Sequence, residues 1–299
     1  MKKLPLVFSG CLLGLAGAGN LVLDTVPVLS HLLSLSGLIL WLFFLILRLL
    51  NWKESKQELT KPPLLSGMAT FPMAGMILST YVFRVFPHLP LVAQGLWWFS
   101  FLLDLSLIAG FTIKFACPGR RVPATPSWTV LYVGIAVATL TYPLVGIIEI
   151  AYATLSFGFL LTFYLYPLIY SDLKKQPLPL ALLGQEGIYC APFSLLLASL
   201  VRVGGSNLPT WLLIVMILAS QSFFFFVLSR LPNILKQGFQ PAFSALTFPT
   251  IITATSLKMA QGLLKLPFLD YLVLAETVIC LIILLFVLGA YLIWLRKKV

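Results

Sequence analysis

The sequence predicts an all-α integral membrane protein. Of its 299 residues, 60% are hydrophobic and only 10% are charged, and the mean hydropathy is +1.02. Soluble domains carry roughly 25% charged residues, so this chain has too little polar surface to face water. In lipid, only helices and closed barrels satisfy the backbone hydrogen bonds. The apolar runs lack the alternation of barrel strands, and the run from Val278 to Leu295 has no charge, which favours helices.

Ten apolar segments are long enough to cross a hydrocarbon core about 30 Å thick. Their approximate bounds are 5–23, 28–50, 63–86, 90–115, 125–143, 146–170, 179–202, 209–231, 240–264 and 269–296. The longest polar connection extends only from Asn51 to Lys61. We therefore expect a single transmembrane domain over 1–299, whose function is carried out inside the bilayer.

The distribution of basic residues predicts the orientation. Sixteen of the twenty lysines and arginines lie on the side that holds both termini and the even-numbered connections. The positive-inside rule assigns this side to the cytoplasm, so both termini are expected there. The formal net charge of +11 then reflects topology, and the dispersal of the basic residues argues against nucleic-acid binding. The four remaining basic residues, all on odd-numbered helices, are Arg84, Arg202, Lys258 and Lys265.

These four residues allow two interpretations. Long basic side chains near helix ends can simply extend to the membrane interface. If the odd-numbered helices surround a central path, Arg84, Arg202 and Lys258 would instead form an outer mouth that concentrates anions. Charge alone leaves both interpretations open.

Acidic residues also occur within the predicted spans. A charge near the bilayer centre costs on the order of 2.5–3.5 kcal/mol, so such residues often have a function. Asp104 and Glu276 lie deep, where they could hydrogen-bond to neighbouring helices or form a proton relay. Glu149 and Glu186 lie near helix starts. Glu186 is the best candidate for proton coupling because it belongs to an odd-numbered helix.

Glycine and proline are unevenly distributed among the helices. Helix 1 carries Gly10 and Gly14 in a set of small residues that allows close backbone approach. Pro72, Pro192 and Pro249 interrupt helices 3, 7 and 9, and each removes a backbone hydrogen bond. In lipid such breaks are tolerated beside a neighbouring helix or a water-filled cavity. The pattern favours an inner ring of odd-numbered helices lining a path, although ordinary packing would also explain it.

The chain shows no pattern typical of a catalytic, metal or nucleotide site. His31 and His88 are isolated, and the four cysteines lack any CxxC spacing. No phosphate-binding loop or dinucleotide fingerprint is present. We therefore expect no cofactor and no enzymatic activity. An intramembrane enzyme would lack a nucleophile or acid–base set, and a structural scaffold would not need interrupted odd-numbered helices.

The segment from Phe239 to Thr255 resembles helix 9 of the tellurite-resistance/dicarboxylate transporter family, which includes the slow-type anion channels of plant guard cells. The segments 71–76 of helix 3 and 190–196 of helix 7 are similar to those of bacterial members, and helix 5 follows the pattern from Thr125. Two departures are that helix 5 has Leu131 and Tyr132 where many members have a proline, and that helix 1 has no interior proline. A short internal echo, Thr-Phe-Pro at 70–72 and again at 247–249, is also present.

The resemblance implies five helical hairpins in a quasi-fivefold arrangement, with odd-numbered helices lining a pore and even-numbered helices outside. Family members commonly form homotrimers in the lipid bilayer, and each subunit has its own pore. The implied location is the cytoplasmic membrane of a bacterium. Family substrates are small inorganic or organic anions. The positions expected to line or kink the pore are Gly10, Gly14, Phe71, Pro72, Pro192 and Pro249.

In this family a phenylalanine of helix 9, in the context Thr-Phe-Pro, blocks the pore, and Phe248 matches it. Pro249 cannot donate the usual hydrogen bond to the Ala245 carbonyl, so the ring of Phe248 is held at a helix break. A ring across a narrow apolar pore excludes ions sterically and by dewetting. We predict an anion channel or uniporter. The alternative is a proton-coupled transporter or exporter of a malate-like carboxylate, sulfite or tellurite.

Overall fold

The computed structural model describes residues 4–117, 119 and 121–296, and these ranges are built from helices and turns without a strand. Five of the basic residues counted in the orientation argument lie outside the described residues: Lys2, Lys3, Arg120, Lys297 and Lys298. The orientation therefore remains a prediction from the sequence.

We label the long helical segments α1 to α10 in chain order. They are α1 (Leu6–Leu21), α2 (Pro27–Leu50), α3 (Pro62–Val85), α4 (Pro90–Ala116), α5 (Ser127–Leu144), α6 (Ile148–Lys175), α7 (Leu180–Asn207), α8 (Thr210–Lys236), α9 (Pro241–Leu246 continued by Thr247–Leu264) and α10 (Pro267–Arg296). A short helix, Trp52–Glu58, connects α2 to α3. Helices α6 and α8 extend beyond their apolar segments, to Lys175 and Lys236, because basic residues are favourable in the last turn of a helix.

Within the described residues, eight helices are long and apolar enough to cross a membrane, namely α2 to α8 and α10. The helix α1 is also apolar but shorter. Helix α9 has an α-helical part of 18 residues. The length and composition of these helices are those of a multi-pass membrane protein.

The odd-numbered helices form the interior of the bundle. In their apolar 18-residue stretches, 78% of the residues of α3 and 72% of those of α5 are buried, against 22% to 39% for α2, α4, α6, α8 and α10. Helix α7 is intermediate at 56%, and α1 is buried from Ser9 to Leu21 except at Asn20. The even-numbered helices expose large apolar side chains such as Leu42, Leu160 and Leu285, which suits a surface in contact with lipid.

Three odd-numbered helices are interrupted where the sequence predicts it, but each proline marks the start of an α-helix instead of a bend within one. The segment Pro62–Gly67 precedes Thr70–Val85 in α3, and 3₁₀ turns precede the α-helical parts of α7 and α9. Pro72, Pro192 and Pro249 lie in the first α-helical turn, where a missing N–H is tolerated. Upstream the chain cannot continue the α-helical hydrogen bonds, so it tightens or breaks.

The two helices that lack the family proline differ from each other. In α5 a 3₁₀ turn, Gly134–Ala136, interrupts the helix without a proline. In α1 a 3₁₀ turn, Leu6–Phe8, leads into a continuous α-helix, so the glycines do not interrupt it.

The glycines of α1 bring it close to α9. A Cβ atom at Gly10 would lie 3.0 Å from the Ser244 carbonyl oxygen, and one at Gly14 would lie 2.8 Å from the Thr247 side chain. The Thr247 hydroxyl lies within hydrogen-bonding distance of the carbonyl oxygens of Gly10, at 2.9 Å, and Ser244, at 2.7 Å. The backbones of α1 and α9 are therefore in close contact at the break in α9.

Candidate functional site

Two cavities lie along the middle of the bundle. The small cavity, of about 70 Å³, is bordered by residues such as Gly10, Thr70, Val133, Pro192 and Ser244. The large cavity, of about 700 Å³, lies toward the other ends of the same helices and is bordered by residues such as Asn20, Arg84, Thr141, Arg202 and Lys258. All the described residues that line either cavity belong to α1, α3, α5, α7 and α9, or to the turn after α1.

Phe248 contributes to the walls of both cavities, so its side chain lies between them. The residue is 4% exposed and sits in the first turn of the α-helical part of α9. Its ring packs against Gly17 of α1, where an added Cβ atom would lie 3.2 Å from the ring atom Cδ2. The missing side chain at Gly17 therefore provides the space that the ring occupies.

The break in α9 is matched by a second close approach from α7. Pro249 leaves the Ala245 carbonyl without its usual helical donor. Gly187, in the 3₁₀ part of α7, faces this carbonyl, and a Cβ atom there would lie 3.0 Å from the Ala245 oxygen. Glycines on α1 and α7 thus hold the segment around Phe248 from two sides.

The wall of the small cavity is mainly apolar, with side chains such as Leu13, Met73 and Leu195. Its polar side chains are hydroxyl and amide groups: Thr70, Ser127, Thr129, Gln185 and Ser244. None of the described lining residues is charged. The small cavity therefore lacks the fixed charges of a tight ion-binding site.

The large cavity brings together three of the four basic residues singled out in the sequence, since Arg84, Arg202 and Lys258 all line it. The fourth, Lys265, lines only a neighbouring groove between α1, α2, α9 and α10, which Lys258 also borders. The Arg84 guanidinium lies over the Tyr81 ring, 5.4 Å from its centroid. The basic residues are thus contributed by α3, α7 and α9 to one opening.

An acidic residue that the sequence analysis did not single out also lines the large cavity. Asp24 lies in the turn after α1, and its Oδ2 atom is 3.1 Å from the Lys258 ammonium nitrogen. The same ammonium group donates a hydrogen bond to the Leu21 carbonyl oxygen at 2.8 Å. No sequence pattern distinguishes an exposed acidic residue in a short turn. Asp24 is notable only because the fold places it beside the three basic residues.

The residues expected to line or kink the path divide into two groups. Gly10, Pro192 and Pro249 line the small cavity. Gly14, Phe71 and Pro72 line neither cavity. Gly14 faces Thr247 and Leu284, so its position serves close packing.

Phe71 faces away from the cavities although it shares the Thr-Phe-Pro triplet with Phe248. Its ring stacks on Trp41 of α2, with centroids 4.5 Å apart and planes within 4°. The Trp41 indole N–H also donates to the Phe71 carbonyl oxygen at 2.9 Å. Met73, two residues further along α3, lines the small cavity instead. The echo in the sequence therefore does not correspond to equivalent side-chain positions.

Glu186 is likewise absent from the walls of both cavities. Its carboxylate accepts hydrogen bonds from Nε of Arg230 at 2.9 Å and from Nη2 at 3.1 Å, which links α7 to α8. Asp104 and Glu276 are buried on the outer helices α4 and α10 and line neither cavity. Glu186, Asp104 and Glu276 thus lie outside both cavities.

Among the described residues, no group of three or more His, Cys, Asp or Glu side chains could hold a metal ion.

Comparison with known proteins and families identifies one family. No curated protein matches the chain. The family model SLAC1, described as voltage-dependent anion channel, matches residues 3–292. Because the match covers nearly the whole sequence, this multi-pass membrane protein belongs to the SLAC1 family of anion channels and transporters.

Proposed function

We propose that this protein is a gated anion channel or uniporter and that the Phe248 ring is its gate. The observation that carries the proposal is that one aromatic side chain borders both central cavities. A bulky apolar group between two cavities blocks ions sterically and prevents a continuous column of water. Conduction then requires the ring to move away from Gly17.

The large cavity is proposed as the outer mouth that attracts anions. Its three basic side chains and one acidic side chain leave an excess of positive charge. Such a field raises the local concentration of anions and depends on the ionic strength. The uncharged small cavity suits passage without tight binding, so selectivity would come from pore width and positive potential.

We further propose five helical hairpins in a quasi-fivefold arrangement, a homotrimer, and insertion into a bacterial cytoplasmic membrane with both termini inside. The odd-numbered helices are largely buried, and the even-numbered helices expose apolar side chains. This difference supports the placement of the odd-numbered helices inside and the even-numbered helices outside. The exposed apolar faces of the even-numbered helices are available for lipid or for neighbouring subunits.

Proton-coupled transport is the alternative that the family resemblance leaves open. Such a cycle would use Glu186, which would have to separate from Arg230 and reach a cavity that it does not line. Uncoupled conduction requires no such rearrangement. We therefore favour a channel over a proton-coupled transporter.

Reconstitution of the purified protein into planar bilayers tests this proposal. The measurement is the reversal potential under gradients of chloride, nitrate and malate, each with and without a pH gradient. We expect the reversal potential to follow the anion gradient and to be insensitive to the pH gradient. A reversal potential that shifts with the pH gradient would contradict the channel and favour the coupled transporter.

A further inference from the structure

Asp24 occupies the same opening as the three basic residues. Its side chain is 77% exposed, whereas that of Lys258 is 27% exposed. The distance of 3.1 Å between Asp24 Oδ2 and Lys258 Nζ places a carboxylate oxygen where an approaching anion would otherwise contact the ammonium group. Arg84, on another helix, lines the same cavity as Asp24.

We infer that Asp24 is a specificity-determining residue that limits anion entry and discriminates against doubly charged anions. The inference rests on the proposed function, since it assigns a role to Asp24 in the proposed mouth. The carboxylate acts in two ways. It competes with the entering anion for Lys258, and its negative charge repels that anion.

An entering anion can displace the Asp24 carboxylate from Lys258. An ion pair with a solvent-exposed partner is weak, because water and salt screen the two charges. Asp24 therefore does not neutralise Lys258 permanently, and an anion can displace the carboxylate. The repulsion, in turn, depends on the charge of the anion. The Coulomb energy of a doubly charged anion near Asp24 is twice that of a singly charged one at the same distance.

Lys258 is held in place by a second contact that does not involve Asp24. Its ammonium group donates to the Leu21 carbonyl at 2.8 Å, at the C-terminal end of α1. The last carbonyls of a helix lack intrahelical donors, and a cation is favourable there. Removing the charge of Asp24 should therefore leave the lysine in position and expose its charge to the entering anion.

The test compares Asp24→Asn with Asp24 in the full-length protein, with Phe248→Ala present in both so that the pore is open. Planar-bilayer conductance is measured in about 0.01 M and about 1 M chloride, where the screening lengths are roughly 30 Å and 3 Å. We expect Asp24→Asn to raise the chloride conductance about two- to fivefold at low salt and to have little effect at high salt. The malate-to-chloride permeability ratio at neutral pH, where both malate carboxylates are ionised, should rise as well.

The matched control is Asp270→Asn, also in the Phe248→Ala protein. Asp270 is exposed and lines the groove that Lys265 and Lys258 both border, but it does not line the large cavity or form the ion pair with Lys258 that Asp24 forms. Its Oδ1 atom accepts a hydrogen bond from Gln261 Nε2 at 2.9 Å, which asparagine can retain. The substitution makes the same change in charge, and we expect no rise in conductance and no change in the permeability ratio.

Three outcomes would overturn the inference. If Phe248→Ala conducts anions and Asp24→Asn leaves conductance and the permeability ratio unchanged or lower, only the role of Asp24 is contradicted. If Asp270→Asn has the same effect as Asp24→Asn, the effect is one of general surface charge. If the folded Phe248→Ala protein is silent, the proposed function fails, and the role of Asp24 fails with it.

Discussion

The ring of Phe248 packs against Gly17, and a Cβ atom at that glycine would lie only 3.2 Å from the ring atom Cδ2. Real Cβ atoms rarely approach a neighbour so closely, so the ring could not keep its position beside a larger residue. Gly17 and Phe248 lie far apart in the sequence, yet they are in contact where the Phe248 ring borders both cavities. The contact explains why a glycine-rich α1 is adjacent to the break in α9.

The first prediction concerns Phe248→Ala. The substitution removes the ring but keeps Pro249, so the break in α9 should persist while the small and large cavities become continuous. We expect a folded protein that conducts anions constitutively, well above the parent protein in planar bilayers. A destabilised and silent variant would assign Phe248 to ordinary packing.

The matched control for that variant is Phe71→Ala. Phe71 belongs to the same triplet and is 1% exposed, but its ring stacks on Trp41 and borders neither cavity. Loss of a buried phenylalanine ring costs about 3–5 kcal/mol through the cavity that it leaves. Thermal unfolding in detergent should therefore show lower stability, without any gain in conductance.

The second prediction concerns Gly17→Ala. The added methyl group would lie 3.2 Å from both the Phe248 ring and Cγ2 of Ile251, so both side chains must shift by a few tenths of an ångström. We expect the displaced ring to close the path less completely, so the basal anion conductance should exceed that of the parent and remain below that of Phe248→Ala. Gly95→Ala is the control, because a Cβ atom there would meet nothing within 4 Å. Equal conductance for Gly17→Ala and the parent would show that this contact does not govern closure.

The third prediction concerns the three basic residues of the large cavity. Neutralising Arg84, Arg202 and Lys258 together leaves Asp24 as the remaining charged lining residue of that cavity among those described. Conductance should fall more at about 0.01 M than at about 1 M salt, where the screening lengths are roughly 30 Å and 3 Å. Lys265→Gln, outside this cavity, should have little effect. A mutant-to-parent ratio that is the same at both salt concentrations would mean that the three side chains only extend to the interface.

The fourth prediction concerns orientation. Sixteen of the twenty lysines and arginines are on the predicted side of the termini, so both termini should be cytoplasmic. A reporter enzyme that is active only outside the cytoplasm should be inactive when it is fused after Val299. The same reporter inserted beside His88, in the connection between α3 and α4, should be active. The reverse pattern would require the opposite orientation.

The sequence indicated which helices are interrupted, but it did not indicate what the chain does at each interruption. Pro72, Pro192 and Pro249 identify the interrupted helices because proline lacks an N–H group wherever it occurs. The sequence did not show that these prolines lie at the start of the α-helical part. The structure shows it, because 3₁₀ turns precede that part in α7 and α9. The 3₁₀ turn in α5, Gly134–Ala136, has no proline to announce it. There a Cβ atom at Gly134 would lie 2.6 Å from the Met73 sulfur, which is a constraint from a different helix.

Only part of the candidate site could likewise be predicted from the sequence. Arg84, Arg202 and Lys258 were singled out because they are among the four basic residues on the side opposite the termini, all on odd-numbered helices, and the three share one cavity. Asp24 was missed because its significance comes from the ion pair with Lys258, a residue distant in the sequence. Phe71 and Phe248 share a local triplet, but α3 turns its phenylalanine toward α2 and presents Met73 to the cavity.

Composition and the length of the apolar runs determined, without any structure, that this protein is a helical membrane protein, because lipid cannot satisfy an unpaired backbone. The tertiary structure alone decided which side chains border the central cavities. That choice depends on how closely helices approach one another, as in the contact of Thr247 with the Gly10 carbonyl, 237 residues away. Local sequence specifies hydrophobicity and helix breaks, whereas the direction of a side chain in the bundle follows from the packing of its neighbours.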